Sequence, residues 1–185
     1  ERVELLPQPP ADPRGLPAFK ELTVVPYDLP RYAFRIRVPA DFRWRRFDLT
    51  RAERADDDKR PLPMAEFGPP ATDPAQANRV LIEARYVRVP QHVPLARFIS
   101  VYAEQDGFGL VESLPRRYGG EDLHEALLHA RSDELGDYYI RLSARRRGDL
   151  IFLCASSVVV NEYPAWRSTL AVVAASFTPT AAETR

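Results

Sequence analysis

Apolar and polar side chains alternate from Tyr32 to Val38, with Tyr32, Phe34, Ile36 and Val38 on one face and Ala33, Arg35 and Arg37 on the other. That period of two predicts a half-buried strand, which Pro39 stops. A short strand is expected before it over Leu22 to Tyr27, and a weaker one after it over Phe42 to Phe47. Val80 to Val89 alternates over a longer stretch and ends at Pro90, again as a strand. The period then changes. Pro94 suits a first helical turn, and Leu95, Phe98, Ile99 and Tyr102 lie at i, i+3, i+4 and i+7 before Gly107, which predicts a helix. Phe108 to Ser113 is expected to be a short strand. Gly119-Gly120 reads as a flexible joint, and Leu123, Leu127 and Leu128 suggest a short second helix over Glu121 to Ala130. Tyr138, Ile140 and Leu142 open an alternating strand, and Leu150 to Val160 returns after the turn Arg147-Gly148-Asp149. This hairpin is expected at the centre of the sheet. A last helix follows, with Asn161 as its N-cap, Pro164 in its first turn, and Trp166, Leu170, Val173, Ala174 and Phe177 on its buried face.

Proline marks where the periodicity fails. Pro7, Pro9, Pro10, Pro13 and Pro17 fix φ and remove backbone donors, so residues 1–18 are expected to form an extended arm on the domain or a flexible leader. A single domain over 19–178 and a tail over 179–185 complete the division. Residues 51–78 combine an acidic run, Asp56 to Asp58, with Pro61, Pro63, Pro69, Pro70 and Pro74, and are expected to form a long surface loop. The element order is β, β, β, loop, β, α, β, short α, β, β, α, without a repeated βαβ unit. This is the pattern of an α+β protein: an α/β/α sandwich around a central antiparallel sheet.

Composition narrows the classes further. A chain of 185 residues with 45% hydrophobic and 10% aromatic residues can bury a core as one domain. No apolar run approaches the roughly 20 residues of a membrane-spanning helix, so the protein is expected to have no transmembrane segment and to be soluble. The 26 basic and 26 acidic residues cancel, which argues against a general affinity for nucleic acid or anionic membranes. The single cysteine, Cys154, excludes an internal disulfide and any multi-cysteine metal or cluster site. The chain opens at Glu1 without a basic and apolar leader, so a removed processing signal or a trimmed boundary is expected there, and cytoplasm and periplasm both stay open. Arginine far exceeds lysine, which reads as the codon bias of a GC-rich genome.

The run from Tyr32 to Phe42 with its Val38-Pro39, the strand-to-helix step from Tyr86 through Pro90 to Tyr102, the Tyr138 to Val160 hairpin and the closing helix ending Ala174-Ala175-Ser176-Phe177 together resemble the Mog1/PsbP fold group, which includes the bacterial DcrB-like proteins. The resemblance spans about residues 22–178 and rests on element order. It implies a sandwich around an antiparallel sheet, in a group whose members act mostly by binding other proteins. It carries over no catalytic residue. The insert at 51–78 departs from the compact pattern of the group.

The residues themselves offer little catalytic chemistry. His124 and His129 are five apart, about 140° out of register on a helix, so they do not share a metal ion from one face. His92 sits between prolines in a turn. No G-x-S-x-G elbow, G-x-G-x-x-G or P-loop occurs, and Cys154 lies in an apolar strand. Glu162 with Asp149, or Glu121 with Asp122, read as helix-start acids rather than an acid/base pair. No catalytic residue, metal or cofactor is therefore expected. The densest charge is Arg141, Arg145, Arg146 and Arg147 near a hairpin tip, with Arg116-Arg117 as possible neighbours. Without interleaved aromatics this is not a nucleic-acid site; it reads as a solvated turn or as a contact patch for an acidic protein segment. Arg147-Gly148-Asp149 needs no reading beyond a turn. The expected function is a noncatalytic protein-binding or adaptor module, with Arg141 to Arg147 and the face carrying Tyr86 and Arg88 as its partner surface. The alternative is a small-molecule-binding protein or hydrolase with a cleft under the 51–78 loop.

Overall fold

The computed structural model describes residues 4–48, 60–70 and 80–180. Its alternating stretches form strands as expected, in two antiparallel sheets. In the smaller sheet β2 (Phe34–Pro39) pairs with β1 (Phe19–Val24) on one side and with β10 (Thr178–Pro179) on the other. The larger sheet has seven strands in the order β3-β4-β5-β9-β8-β7-β6: β3 (Arg43–Arg46), β4 (Leu62–Gly68), β5 (Val80–Arg88), β6 (Gly109–Tyr118), β7 (Glu121–Ser132), β8 (Gly136–Arg147) and β9 (Leu150–Val159). The β8–β9 hairpin is central, and Gly148 takes a positive φ of 57° at its turn. Helix α1 (Leu95–Gln105) buries Ile99 and Ala103 on one face of this sheet; α2 (Tyr163–Ser176), the small sheet and the N-terminal residues cover the other. The architecture is thus α+β, a sandwich around a central antiparallel sheet.

Five local expectations are corrected. Glu121 to Ala130 is not a helix but part of β7. Its two faces are both covered, with Leu123, Glu125 and Leu127 on one side and Ala126, Leu128 and Ala130 on the other, so the alternation that marks a strand is missing from the sequence. Gly119 and Gly120 are the two central residues of the β6–β7 hairpin, with φ of 58° and 84°, the left-handed values that a two-residue primed turn requires. The 51–78 stretch is not all loop: β4 runs through its middle and accommodates Pro63 at an irregularity in its pairing with β5. Residues 51–59 and 71–79 lie outside the described residues. At the start, the first strand is Phe19–Val24, while Pro26–Asp28 and Pro30–Tyr32 form 3-10 turns. Before α2 it is Glu162, not Asn161, that occupies the N-cap position, with no side-chain cap.

The core divides at the large sheet. On one face Tyr32 stacks on Tyr86 with ring centroids 4.3 Å apart, and Phe34 packs edge-on to Phe177. On the other, Leu128, Leu142, Ile151 and Leu153 pack under α1. Cys154, in central β9, is buried, and desolvation pushes its thiol pKa up to about 12. A thiol so placed is a packing group rather than a nucleophile.

Candidate functional site

The arginines of the β8 hairpin face inward. Arg141 is wholly excluded from solvent; its Nη2 donates to Glu125 Oε2 at 2.6 Å and to the Pro7 carbonyl at 2.8 Å. Arg145 is also buried, donating to Glu121 at 3.2 Å and, at 2.9 Å, to the carbonyl of Ala175 in the last turn of α2. There a cation meets the negative end of the helix dipole. Arg146, on the opposite face, donates to the carbonyls of Val89 and Val93 in the turn that leads into α1, and Arg147 donates to Glu121 at 2.7 Å. Desolvation lowers the pKa of both Arg145 and Arg146. Arg141, Arg145 and Arg146 are fasteners between layers, each reaching from the central hairpin to carbonyls outside the large sheet that burial would otherwise leave unpaired, while Arg147 pairs with the half-exposed Glu121 of the neighbouring strand.

The expected partner surface is corrected accordingly. Arg141 and Arg145 are interior, and so is Tyr86, with 1% of its surface exposed in the stack with Tyr32. Arg88, at the end of β5, pairs with Asp149 in the β8–β9 turn. Of the two neighbours proposed at Arg116-Arg117, Arg116 turns inward to the Leu6 carbonyl, whereas Arg117 is exposed and 3.4 Å from Asp122.

Two of the arginines that face solvent lie on β2. Arg35 and Arg37 project from the outer face of the small sheet, beside a cleft of about 490 Å³. Pro9, Pro10, Pro13 and Leu16 form one wall of the cleft, Phe19 and the β2 arginines its floor, and Val172, Ala175 and Ser176 of α2 the other wall. Arg37 sits over the Phe19 ring at 5.5 Å and faces Glu21 across the strand pair; its backbone N–H donates to Ser176 Oγ at 2.8 Å. Arg35 is flanked in register by Thr23 and Thr178, and among the described residues no acid or carbonyl pairs with it. The sequence marks both arginines as the polar face of β2, but no signal in it says that the helix and the N-terminal residues would frame them into a cleft.

His124 and His129 are separated by the sheet. Five residues apart on β7, they project from opposite faces: His124 Nε2 lies 2.7 Å from Ser113 Oγ, while His129 packs against Tyr139 and is 3.4 Å from Asp137. Burial lowers the His124 pKa. Ser113 and His124 are a hydroxyl–imidazole pair, yet no carboxylate among the described residues orients the imidazole, as a triad needs. Among those residues no group of three or more side chains gathers to hold a metal ion, and no helix is long and apolar enough to cross a membrane.

No protein-family model matches the chain, and no curated protein sequence does. Solved structures do. The solution structure of the cyanobacterial PsbP of Synechocystis superposes with a TM-score of 0.60 over 92% of this chain and 98% of its own, at 11% identity. The chain has the Mog1/PsbP-like fold. LpqN of Mycobacterium tuberculosis, involved in cell envelope biogenesis, matches at a TM-score of 0.54 and 12% identity, over 87% of this chain and 92% of that one. The Ran-binding protein Mog1p of Saccharomyces cerevisiae matches at 0.53 and 13%, over 88% and 95%. At these identities the likeness is one of fold. Within this Mog1/PsbP-like frame, the β2 arginines and the proline-walled cleft are features of this chain's own residues.

Proposed function

We propose that the protein is a noncatalytic binding module that takes an acidic segment of a partner protein in the cleft between the N-terminal prolines, the outer face of β2 and the end of α2. The observation that carries this reading is Arg35: a guanidinium at the surface, with no partner among the described residues, beside an apolar wall. An acidic side chain would pair with Arg35 bidentately, while Phe19, Leu16 and the prolines supply the apolar contact that anchors such a pair. The Ran-binding character of Mog1p is consistent with a binding role for this fold. The test is capture of partners by the full chain against an Arg35→Glu/Arg37→Glu variant, with the exposed Arg117→Glu as control. A partner lost in the double variant and kept by the control supports the reading; a partner kept equally by both overturns it.

The volume of the cleft favours a second reading. About 490 Å³ lies within the range of roughly 300–1,000 Å³ typical of small-ligand sites, so a small amphipathic anion is the other candidate occupant. A thermal-shift screen separates the two, since a ligand at a hundred times its Kd stabilises by about 2.7 kcal/mol.

A further inference from the structure

Helix α1 covers only part of its face of the large sheet. Val87, Ile140, Ile151, Leu153 and Ala155 pack in the cluster beneath it, but the same face continues past them through Leu81, Glu83, Ser157, Val159 and Tyr138. Together with Glu134 and Leu135 of the β7–β8 turn, these residues enclose a cleft of about 330 Å³. The small sheet and its Arg35 cleft lie on the other face of the large sheet, so the two clefts are independent.

The lining is of two kinds. Leu81, Leu135 and Val159 are apolar, and Leu135 is one of the few large apolar side chains left exposed among the described residues. Tyr138 adds an aromatic ring, and Glu83 and Glu134 add two carboxylates, whereas among the described residues no basic side chain lines the cleft. The arginines on this part of the face are already committed. Arg85 donates to both oxygens of Glu83, at 3.0 and 3.1 Å, and Arg45 pairs with Glu66, which stands in register with Glu83 on β4. Glu134 has no hydrogen bond or ion pair among the described residues. Tyr102, in the last turn of α1, lies within electrostatic reach of Glu83 and Asp106, so the negative end of that helix dipole adds to the field of the carboxylates.

We propose that this cleft binds a small organic cation, a protonated amine on an apolar body. Its volume falls within the roughly 300–1,000 Å³ of small-ligand sites, and its lining selects by charge. An anion is repelled by both carboxylates. A neutral ligand takes water from Glu134 and gives it no counter-charge. A protonated amine pairs with Glu134, shares Glu83 with Arg85 and meets the Tyr138 ring, while its apolar body rests on Leu81, Leu135 and Val159. The Ser157 hydroxyl, also in the lining, is left to accept a further amine proton.

The experiment titrates the full, isotope-labelled chain at neutral pH with phenethylamine and with two probes that carry the same ring, neutral 2-phenylethanol and anionic phenylacetate. Backbone NMR signals report where each one binds. The amine is expected to move the signals of Leu81, Leu135, Tyr138 and Val159 along saturating curves, while the alcohol and the anion leave them in place. Glu83→Gln/Glu134→Gln should weaken amine binding about ten-fold, and Asp122→Asn, at the far end of β7 from the cleft, should leave it unchanged. Tyr138→Leu should weaken it several-fold and Tyr138→Phe should keep it, because the ring and not the hydroxyl meets the charge. An alcohol or phenylacetate that binds as tightly as the amine overturns the proposal. So does an amine that gives no saturable shift at the cleft, or an affinity untouched by the double glutamine variant. The probe series is run on the unaltered chain, so the choice of a cation is tested even where a variant fails to fold.

Discussion

Arg145 and Arg35 are the same residue type on strands of the same protein, and they have opposite fates. Arg145 lies at the centre of the large sheet under α2, where it meets Glu121 and the Ala175 carbonyl and loses all but 1% of its exposure. Arg35 lies in the middle strand of the small sheet, whose outer face is flanked by α2 and the N-terminal prolines but covered by no helix or sheet layer among the described residues, and it finds threonines to either side. Charge density along the chain is therefore a poor guide to surface. An arginine-rich hairpin becomes interior when neighbouring layers supply carbonyls in need of donors, and an isolated pair stays available where they do not.

The strongest challenge to that contrast is charge reversal at both places. Arg145→Glu/Arg146→Glu puts a carboxylate against Glu121 and strips donors from the Ala175, Val89 and Val93 carbonyls, so the variant is expected to lose its cooperative thermal transition. A folded, wild-type-like melt in that protein would return Arg145 to the surface. Next in size is Glu125→Ala, which leaves the Arg141 guanidinium buried without its carboxylate; about 3–5 kcal/mol should be lost in urea denaturation.

Alkaline titration probes the interior as a whole. Cys154 is pushed from 9.0 up to about 12, and Tyr102, Tyr118 and Tyr163 from 10.0 to about 12, in each case chiefly by burial. Between these ordinary and raised values the unfolded chain has released protons that the folded one retains, so stability is full below pH 9 and falls as pH rises toward 12. Denaturation midpoints measured across that window should decline steadily; a flat profile would contradict the burial of these groups. His124 works in the other direction: its lowered pKa gives stability that is full above 6.5 and is lost as pH falls.

Tyr163→Phe removes one donor to the Leu5 carbonyl and should cost about 1 kcal/mol, read as a lower midpoint together with faster proteolysis in the N-terminal residues. The smallest effect is expected on the outer face of β2. Arg35→Glu/Arg37→Glu should shift stability by no more than about 0.5 kcal/mol, because nothing buried depends on these head groups. A loss of several kcal/mol there would make the β2 arginines fasteners too.

Much of the fold is present in the sequence, because strands and helices covered on one face impose a period on it. Tyr32 to Val38, Val80 to Val89, Leu95 to Tyr102 and the Tyr138 to Val160 hairpin carry such periods, and element order sufficed for the likeness to the Mog1/PsbP group. β7 does not carry one, since helix and sheet layers bury both its faces and local pattern cannot then separate strand from helix. β4 is hidden by the prolines around it. The site is less legible still. The sequence determined which residues carry charge and which strand faces they occupy, because those depend on neighbours one or two positions away. Only the tertiary structure decided which arginines are consumed, because the Pro7, Ala175 and Val93 carbonyls that take Arg141, Arg145 and Arg146 lie far away along the chain, and a buried carbonyl claims whatever donor the packing brings to it.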